Sequence, residues 1–272
     1  MTTPPIPAPV LELRSASLRF GDRLLWHGLD IDVRPGEFIA VLGPNGTGKT
    51  SLLKVLLGQY QLSAGSVRVD GHAVHRGDPA IGYVPQQRGV PAHTPMRARD
   101  LVGTGIDGHR WGPGWFDPVQ KRKKAKVDEL LAAVGATEYA NAPVGTLSGG
   151  ELQRLRLAQA LGSDPHLLLC DEPLLSLDID KQRVVAALLD EKRRERDTAI
   201  LFVTHEINPV LPYVDRVLYI AGGHFLVGNP EEVLTTQALT DLYGSPVEVV
   251  EVGGRLVVVG GEELQPAGEV HP

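Results

Sequence analysis

Eight residues restrict what this chain can fold into more than any other feature: Gly43-Pro44-Asn45-Gly46-Thr47-Gly48-Lys49-Thr50. They follow an unbroken apolar run, Phe38–Leu42, and lead into the helix-like stretch Thr50–Leu57, which closes at Gly58. A short apolar run bounded by turn residues fits a strand buried on both faces. Gly43, Gly46 and Gly48 can take positive φ and let backbone N–H groups come close to an anion. The helix start beyond them adds about half a positive charge. Buried strand, phosphate-cradling loop and helix form one unit.

The spacing G-x-x-x-x-G-K-[ST] gives each polar side chain a place on a bound nucleotide. Lys49 reaches the β- and γ-phosphates, Thr50 ligates Mg²⁺, and Ser51 reaches the α-phosphate. The rest of the chain fits a sheet that could carry such a loop. Alternation at Leu11 and Leu13, and at Leu29, Ile31 and Val33, predicts strands, with turns at Gly21-Asp22 and Arg34–Glu37. Further strands are predicted at Ser66–Val69, Ile81–Val84, His166–Cys170, Ala199–Thr204 and Arg216–Ile220. Helices fit Lys121–Val134, Glu151–Leu161 and Lys181–Glu195. Strands alternating with helices predict an α/β fold with a mostly parallel sheet and helices on its faces.

Two more patterns carry chemistry. Leu167–Cys170 is apolar and runs straight into Asp171-Glu172. Unpaired charges at a buried strand end cost several kcal/mol, so packing alone does not account for paired acids there. Asp171 would face the magnesium shell through Thr50 or a water, and Glu172 could polarise a water for attack on the γ-phosphate. Leu147-Ser148-Gly149-Gly150-Glu151 opens a helix, with Ser148 and Glu151 at capping-box spacing. Helix initiation alone would explain it. The Ser148 hydroxyl, the Gly149 and Gly150 amides and the helix dipole could equally form a second anion site.

Together, and in the chain order of phosphate loop, 147–151, then Asp171-Glu172, the three motifs resemble the ATP-binding-cassette ATPases, over nearly the whole chain from Leu11 to about Gly260. The resemblance implies a P-loop NTPase core with an N-terminal antiparallel β subdomain and an inserted α-helical subdomain. It places the ATPase domain at 10–246, with core segments of about 10–86 and 164–246 and a helical insert of about 87–163. A β-hairpin and tail follow at 247–272. In this family the signature helix, here 147–151, points at the γ-phosphate held by a second protomer, which implies an ATP-dependent homodimer. Weaker single signals take their meaning from the resemblance. Phe20 looks like the aromatic that stacks on adenine, where many relatives have tyrosine. Gln86 resembles the glutamine that joins Mg²⁺ and a transmembrane subunit. Asp178 resembles the aspartate of a loop crossing the dimer interface, and His205 the switch histidine at the γ-phosphate. Glu151 stands where glutamine is common.

The segments 208–244 and 102–109 resemble importer ATPases of the zinc/manganese group. That implies a separate polytopic membrane subunit, an extracytoplasmic substrate-binding protein, and a cytoplasmic location at the inner face of the membrane. A ferric-siderophore importer, an efflux ATPase and a soluble cassette ATPase are the alternative readings. Net charge of −6 argues against a general nucleic-acid binder. No apolar run approaches the roughly 18–20 residues that span a bilayer, and the lone Cys170 cannot bridge internally. The basic run Lys121–Lys126 reads as a solvated helix face and His72/His75 as surface loop, while Trp26, Trp111 and Trp115 form no pattern that points to a site. The Gly-Gly hairpin at the end reads as a packing edge.

Overall fold

In the computed structural model, residues 7–86, 91, 94–107, 118–175 and 177–260 are described. The chain runs β1 (Leu11–Phe20), β2 (Arg23–Val33), β3 (Phe38–Leu42), α1 (Lys49–Leu56), β4 (Ala64–Val69), β5 (His72–Ala73) and β6 (Ile81–Val84). Three helices follow: α2 (Ala98–Asp107), α3 (Pro118–Ala133) and α4 (Gly149–Ala160). Then come β7 (Leu167–Asp171), α5 (Ile179–Arg196), β8 (Ala199–Val203), β9 (Arg216–Ala221) and β10 (His224–Gly228). The last elements are α6 (Pro230–Val233), α7 (Thr236–Tyr243), β11 (Val247–Val252) and β12 (Arg255–Gly260).

The main sheet has the order β10-β9-β3-β8-β7-β6, parallel from β9 to β6 with β10 antiparallel at one edge. A second, antiparallel sheet has the order β2-β1-β4-β5. Strands β3, β7 and β8 are apolar at every position but Asp171 because each feeds two cores. Phe38, Ala40, Leu42, Leu168, Cys170, Ile200 and Phe202 join the helical-side core. Ile39, Val41, Leu167, Leu169, Leu201 and Val203 pack with α1 and the antiparallel sheet. Alternate side chains of a strand point to opposite faces, so a two-sided strand has no polar face to show.

The sequence-based boundaries hold to within a residue or two for most of these elements, and β2, β10 and α2 are among those that depart from them. Helix α1 starts at Lys49 rather than Thr50, with Gly48 as its N-cap at φ 98°. Strand β2 reaches back to Arg23, and β10 has no counterpart among the sequence-based expectations. The third is α2: helices are expected to flank the stretch 102–117, rich in Gly, His and Trp, yet 102–107 are themselves helical, while 108–117 lie outside the described residues. Glycines normally weaken a helix, but a Cβ at Gly105 would collide with the Gln159 carbonyl of α4. Close approach of two helices requires glycine there. Cys170 is fully buried, which pushes its thiol pKa up and leaves it unreactive. His72 and His75 are exposed, and among the described residues no group of three or more His, Cys, Asp or Glu gathers as a metal site.

Candidate active site

The loop after β3 is built on glycine geometry. Gly43, Gly46 and Gly48 have φ of 138°, 78° and 98°, in the region that side chains disfavour. Gly43 also lies so close to β9 that a Cβ would strike the Ile220 carbonyl. The Lys49 ammonium donates to the Gly43 and Pro44 carbonyls at 2.7 and 2.8 Å, and Thr47 Oγ1 donates to Pro44. Burial holds the Lys49 pKa below its ordinary value, while Glu172 and Asp171 oppose that shift.

The paired acids divide at the end of β7. Asp171 is 2% exposed and accepts a hydrogen bond from Thr50 Oγ1 at 3.2 Å. Burial raises its carboxyl pKa, and the Thr50 hydroxyl counters part of the rise. Glu172 turns the chain out of the sheet at φ 49°, a left-handed conformation that costs a non-glycine residue roughly 1 kcal/mol or more. Its backbone N–H is fixed to the Val203 carbonyl at 2.9 Å. Its side chain accepts from Gln86 Nε2 at 2.9 Å and lies 3.7 Å from His205 Nδ1. One carboxylate thus joins the ends of three strands, β6, β7 and β8.

These groups border a cleft of about 450 Å³, lined by Phe20, Asn45, Gly46, Gly48, Lys49, Thr50, Ser51, Gln86 and Glu172, among others. Phe20 is 45% exposed at its rim, held edge-on by Tyr60 with ring centres 5.1 Å apart. Three lining or supporting residues carried no readable signal in the sequence. Arg23 donates to the Gly46 carbonyl at 2.9 Å, and Leu25 and Trp26 form the floor under Gly48. An arginine after a turn looks like surface charge, and a strand tryptophan looks like core.

Leu147–Glu151 is not among the residues lining the cleft. Ser148 caps α4 in a full capping box, its hydroxyl donating to Glu151 Oε2 at 2.7 Å while accepting from the Glu151 N–H. Those bonds hold the Glu151 carboxyl below its ordinary pKa. Ser148 and Gly149 are open to solvent, and Gly150 sits against Leu177. Beyond Leu177, Asp178 caps α5 by accepting from the Lys181 N–H at 3.0 Å. Leu175, Ile179 and Val184, on either side of that cap in the chain, are exposed.

Sheet order and cleft define a P-loop nucleotide hydrolase. Comparison with known proteins narrows this further. The family model described as ABC transporter matches residues 26–175. The manganese transport system ATP-binding protein MntB of Halalkalibacterium halodurans is 32% identical over 235 residues, covering 86% of this chain and 92% of that one. The zinc import ATP-binding protein ZnuC 1 of Hahella chejuensis is 33% identical over 239 residues, 88% and 85% of the two chains. A structure described as an inward-facing conformation of an ABC transporter, assigned to the metal-chelate type, superposes with a TM-score of 0.75. It is 26% identical and covers 92% of this chain and 96% of its own. A nucleotide-free ATP-binding cassette, 20% identical, shares the fold at a TM-score of 0.70. The chain belongs to the ABC transporter family. It is the nucleotide-binding, ATP-hydrolysing subunit.

Proposed function

We propose that two copies of this chain bind two ATP molecules between them and hydrolyse them to drive import of zinc or manganese through a separate membrane subunit. One observation carries the two-copy part. The cleft gathers Lys49, Thr50, Gln86 and Glu172, while the capped start of α4 stands outside it and open to solvent. A second copy supplies the Ser148 hydroxyl and the Gly149 and Gly150 amides to the γ-phosphate. The exposed apolar residues around Asp178 belong to the same interface.

Within the cleft, Phe20 stacks on the base, Ser51 reaches the α-phosphate, and the Lys49 ammonium holds the β- and γ-phosphates. Asn45, Gly46, Thr47 and Gly48 wrap the phosphates with backbone N–H groups, and Gly43 and Pro44 set the curve of the loop. Thr50, Asp171 and Gln86 offer oxygen atoms alone, the donor set a hard cation such as Mg²⁺ prefers, and the Thr50–Asp171 contact of 3.2 Å brings two of them together. Bound there, Mg²⁺ would neutralise charge on the phosphate oxygens. Glu172 orients the attacking water and takes its proton, and His205 contacts the γ-phosphate beside it.

The import reading rests on relatives named for zinc and manganese transport. Among the described residues no helix is long and apolar enough to cross a membrane. A polytopic partner would supply the path, with this subunit at the inner face and an extracytoplasmic protein delivering the metal. Deleting the gene tests the cargo: growth should fail under zinc or manganese limitation and recover with excess metal. The likeness to a metal-chelate type transporter favours a second cargo, a chelated metal. Growth failing only on siderophore-bound iron would point there.

A further inference from the structure

We propose that Asn208 is a positioning residue that fixes His205 by tying its loop to the C-terminal hairpin. Asn208 Nδ2 donates to the Leu256 carbonyl at 2.9 Å, and the Leu256 N–H donates to Asn208 Oδ1 at 2.8 Å. Both halves of one amide meet both backbone groups of one residue, as a neighbouring strand would. The reverse amide orientation would set N–H against N–H and oxygen against oxygen, so the pairing selects a single rotamer.

The tie sits three residues past His205. On the near side, the Thr204 N–H is held by the Val41 carbonyl at 3.2 Å, and Thr204 Oγ1 bonds both the N–H and the carbonyl of Glu206. Ile207 is buried between the two anchors. His205 itself is exposed. Beneath it lies a cavity of about 320 Å³ whose walls include Gly43, His205, Asn208 and, from the hairpin, Val257. Remove the hairpin and that space opens, leaving the imidazole free to leave Glu172. The hairpin is itself held at its other strand, where Thr240 Oγ1 bonds Val247 and Thr236 Oγ1 accepts from the Val249 N–H. A path of hydrogen bonds therefore runs from α7 through β11 and β12 to Asn208, on the loop that carries the histidine.

This assignment rests on the reading of His205 as a γ-phosphate contact. Misplacing such a group lowers the rate of chemistry without weakening the binding of ATP, which is held by the phosphate loop. The test compares full-length wild type with His205→Ala, Asn208→Ala, their double variant, and a turn variant carrying Gly253→Val and Gly254→Val. The turn glycines have φ of 59° and 74°, so β-branched residues there loosen the hairpin while Asn208 stays intact. Steady-state ATP hydrolysis, ATP affinity and thermal unfolding are measured for each. Asn208→Ala and the turn variant should each lose roughly tenfold or more in kcat with unchanged ATP affinity. Asn208→Ala should have no further effect in the His205→Ala background. Wild-type kcat in the turn variant overturns the proposal, as does an Asn208→Ala loss that adds fully to that of His205→Ala. If His205→Ala is impaired and Asn208→Ala is not, only the tie is wrong. If His205→Ala itself hydrolyses normally, the reading beneath it fails as well.

Discussion

Lys49 shows how a single side chain can bind into the structure without holding it up. Its ammonium closes the loop on the Gly43 and Pro44 carbonyls, and both residues are part-exposed, so water can take its place. Lys49→Ala should therefore fold normally yet bind ATP roughly ten- to a hundredfold more weakly, since one hydrogen bond to a charged group contributes about 1.5–3 kcal/mol. Equilibrium nucleotide titration beside a thermal melt checks both halves, and wild-type affinity would remove Lys49 from the phosphates. Gly43→Ala should behave in the opposite way. At φ 138° and against the Ile220 carbonyl, a methyl group displaces the loop from β9. Stability should fall by about 1–3 kcal/mol through backbone strain alone, and nucleotide binding should fall with it. A Gly43→Ala variant that melted like wild type would show that the loop can shift at no cost.

Helix α4 begins with a capping box that the sequence displays openly: serine, two glycines, then glutamate. Ser148→Ala removes both the acceptor for the Glu151 N–H and the donor to its carboxylate, so stability should drop by about 1 kcal/mol. The pH dependence has a definite sign. Glu151 is held below its ordinary pKa mainly by the Ser148 hydroxyl. In the wild type this contribution is present above the unfolded pKa of Glu151 and is lost as pH falls through the lowered one. Melts of the alanine variant should show a smaller acid-side loss, and identical acid slopes would contradict the cap. Signals of this local kind, such as the capping box, the glycine loop and the turn glycines of the hairpin, were legible because neighbouring residues cause them. Helix α2 was not, because the partner that makes Gly105 necessary is Gln159, far along the chain. Strand β10 is hidden for a related reason. It is an antiparallel edge with no fully buried residue, and its apolar run, Phe225–Val227, is too short to announce a strand. Within the cleft, the meeting of Thr50 with Asp171 follows from the two motifs, whereas Gln86 is placed at the site by resemblance alone and its bond to Glu172 has no sequence signal. The support from Arg23 and Trp26 likewise depends on a sheet-to-loop contact that no local pattern encodes.

At the scale of the whole molecule, the cleft and the α4 start lie apart on one chain, and a second copy would bring them together. Glu172→Gln isolates that step from the chemistry. The amide keeps the length of the side chain and can still bond Gln86, but it cannot take a proton from water. Hydrolysis should fall by on the order of 10²–10⁴, the scale for a positioned general base. If Glu172 faces the γ-phosphate as proposed, the substitution also removes a negative charge there, which should favour the ATP-bound pair over separate chains. The exposed Leu175, Ile179 and Val184 would be covered as it forms, adding apolar burial to the nucleotide contacts. Sedimentation of variant and wild type, with and without ATP, reads this directly. Both should run as monomers without nucleotide, and the variant should become dimeric with ATP while the wild type hydrolyses its ATP and returns to monomer. Adding Ser148→Arg, which fills the α4 start with bulk and charge, should return the glutamine variant to monomer at the same ATP concentration. A Glu172→Gln chain that stays monomeric at saturating ATP would count against a site shared between two copies. One that hydrolyses at the wild-type rate would place the base elsewhere than Glu172.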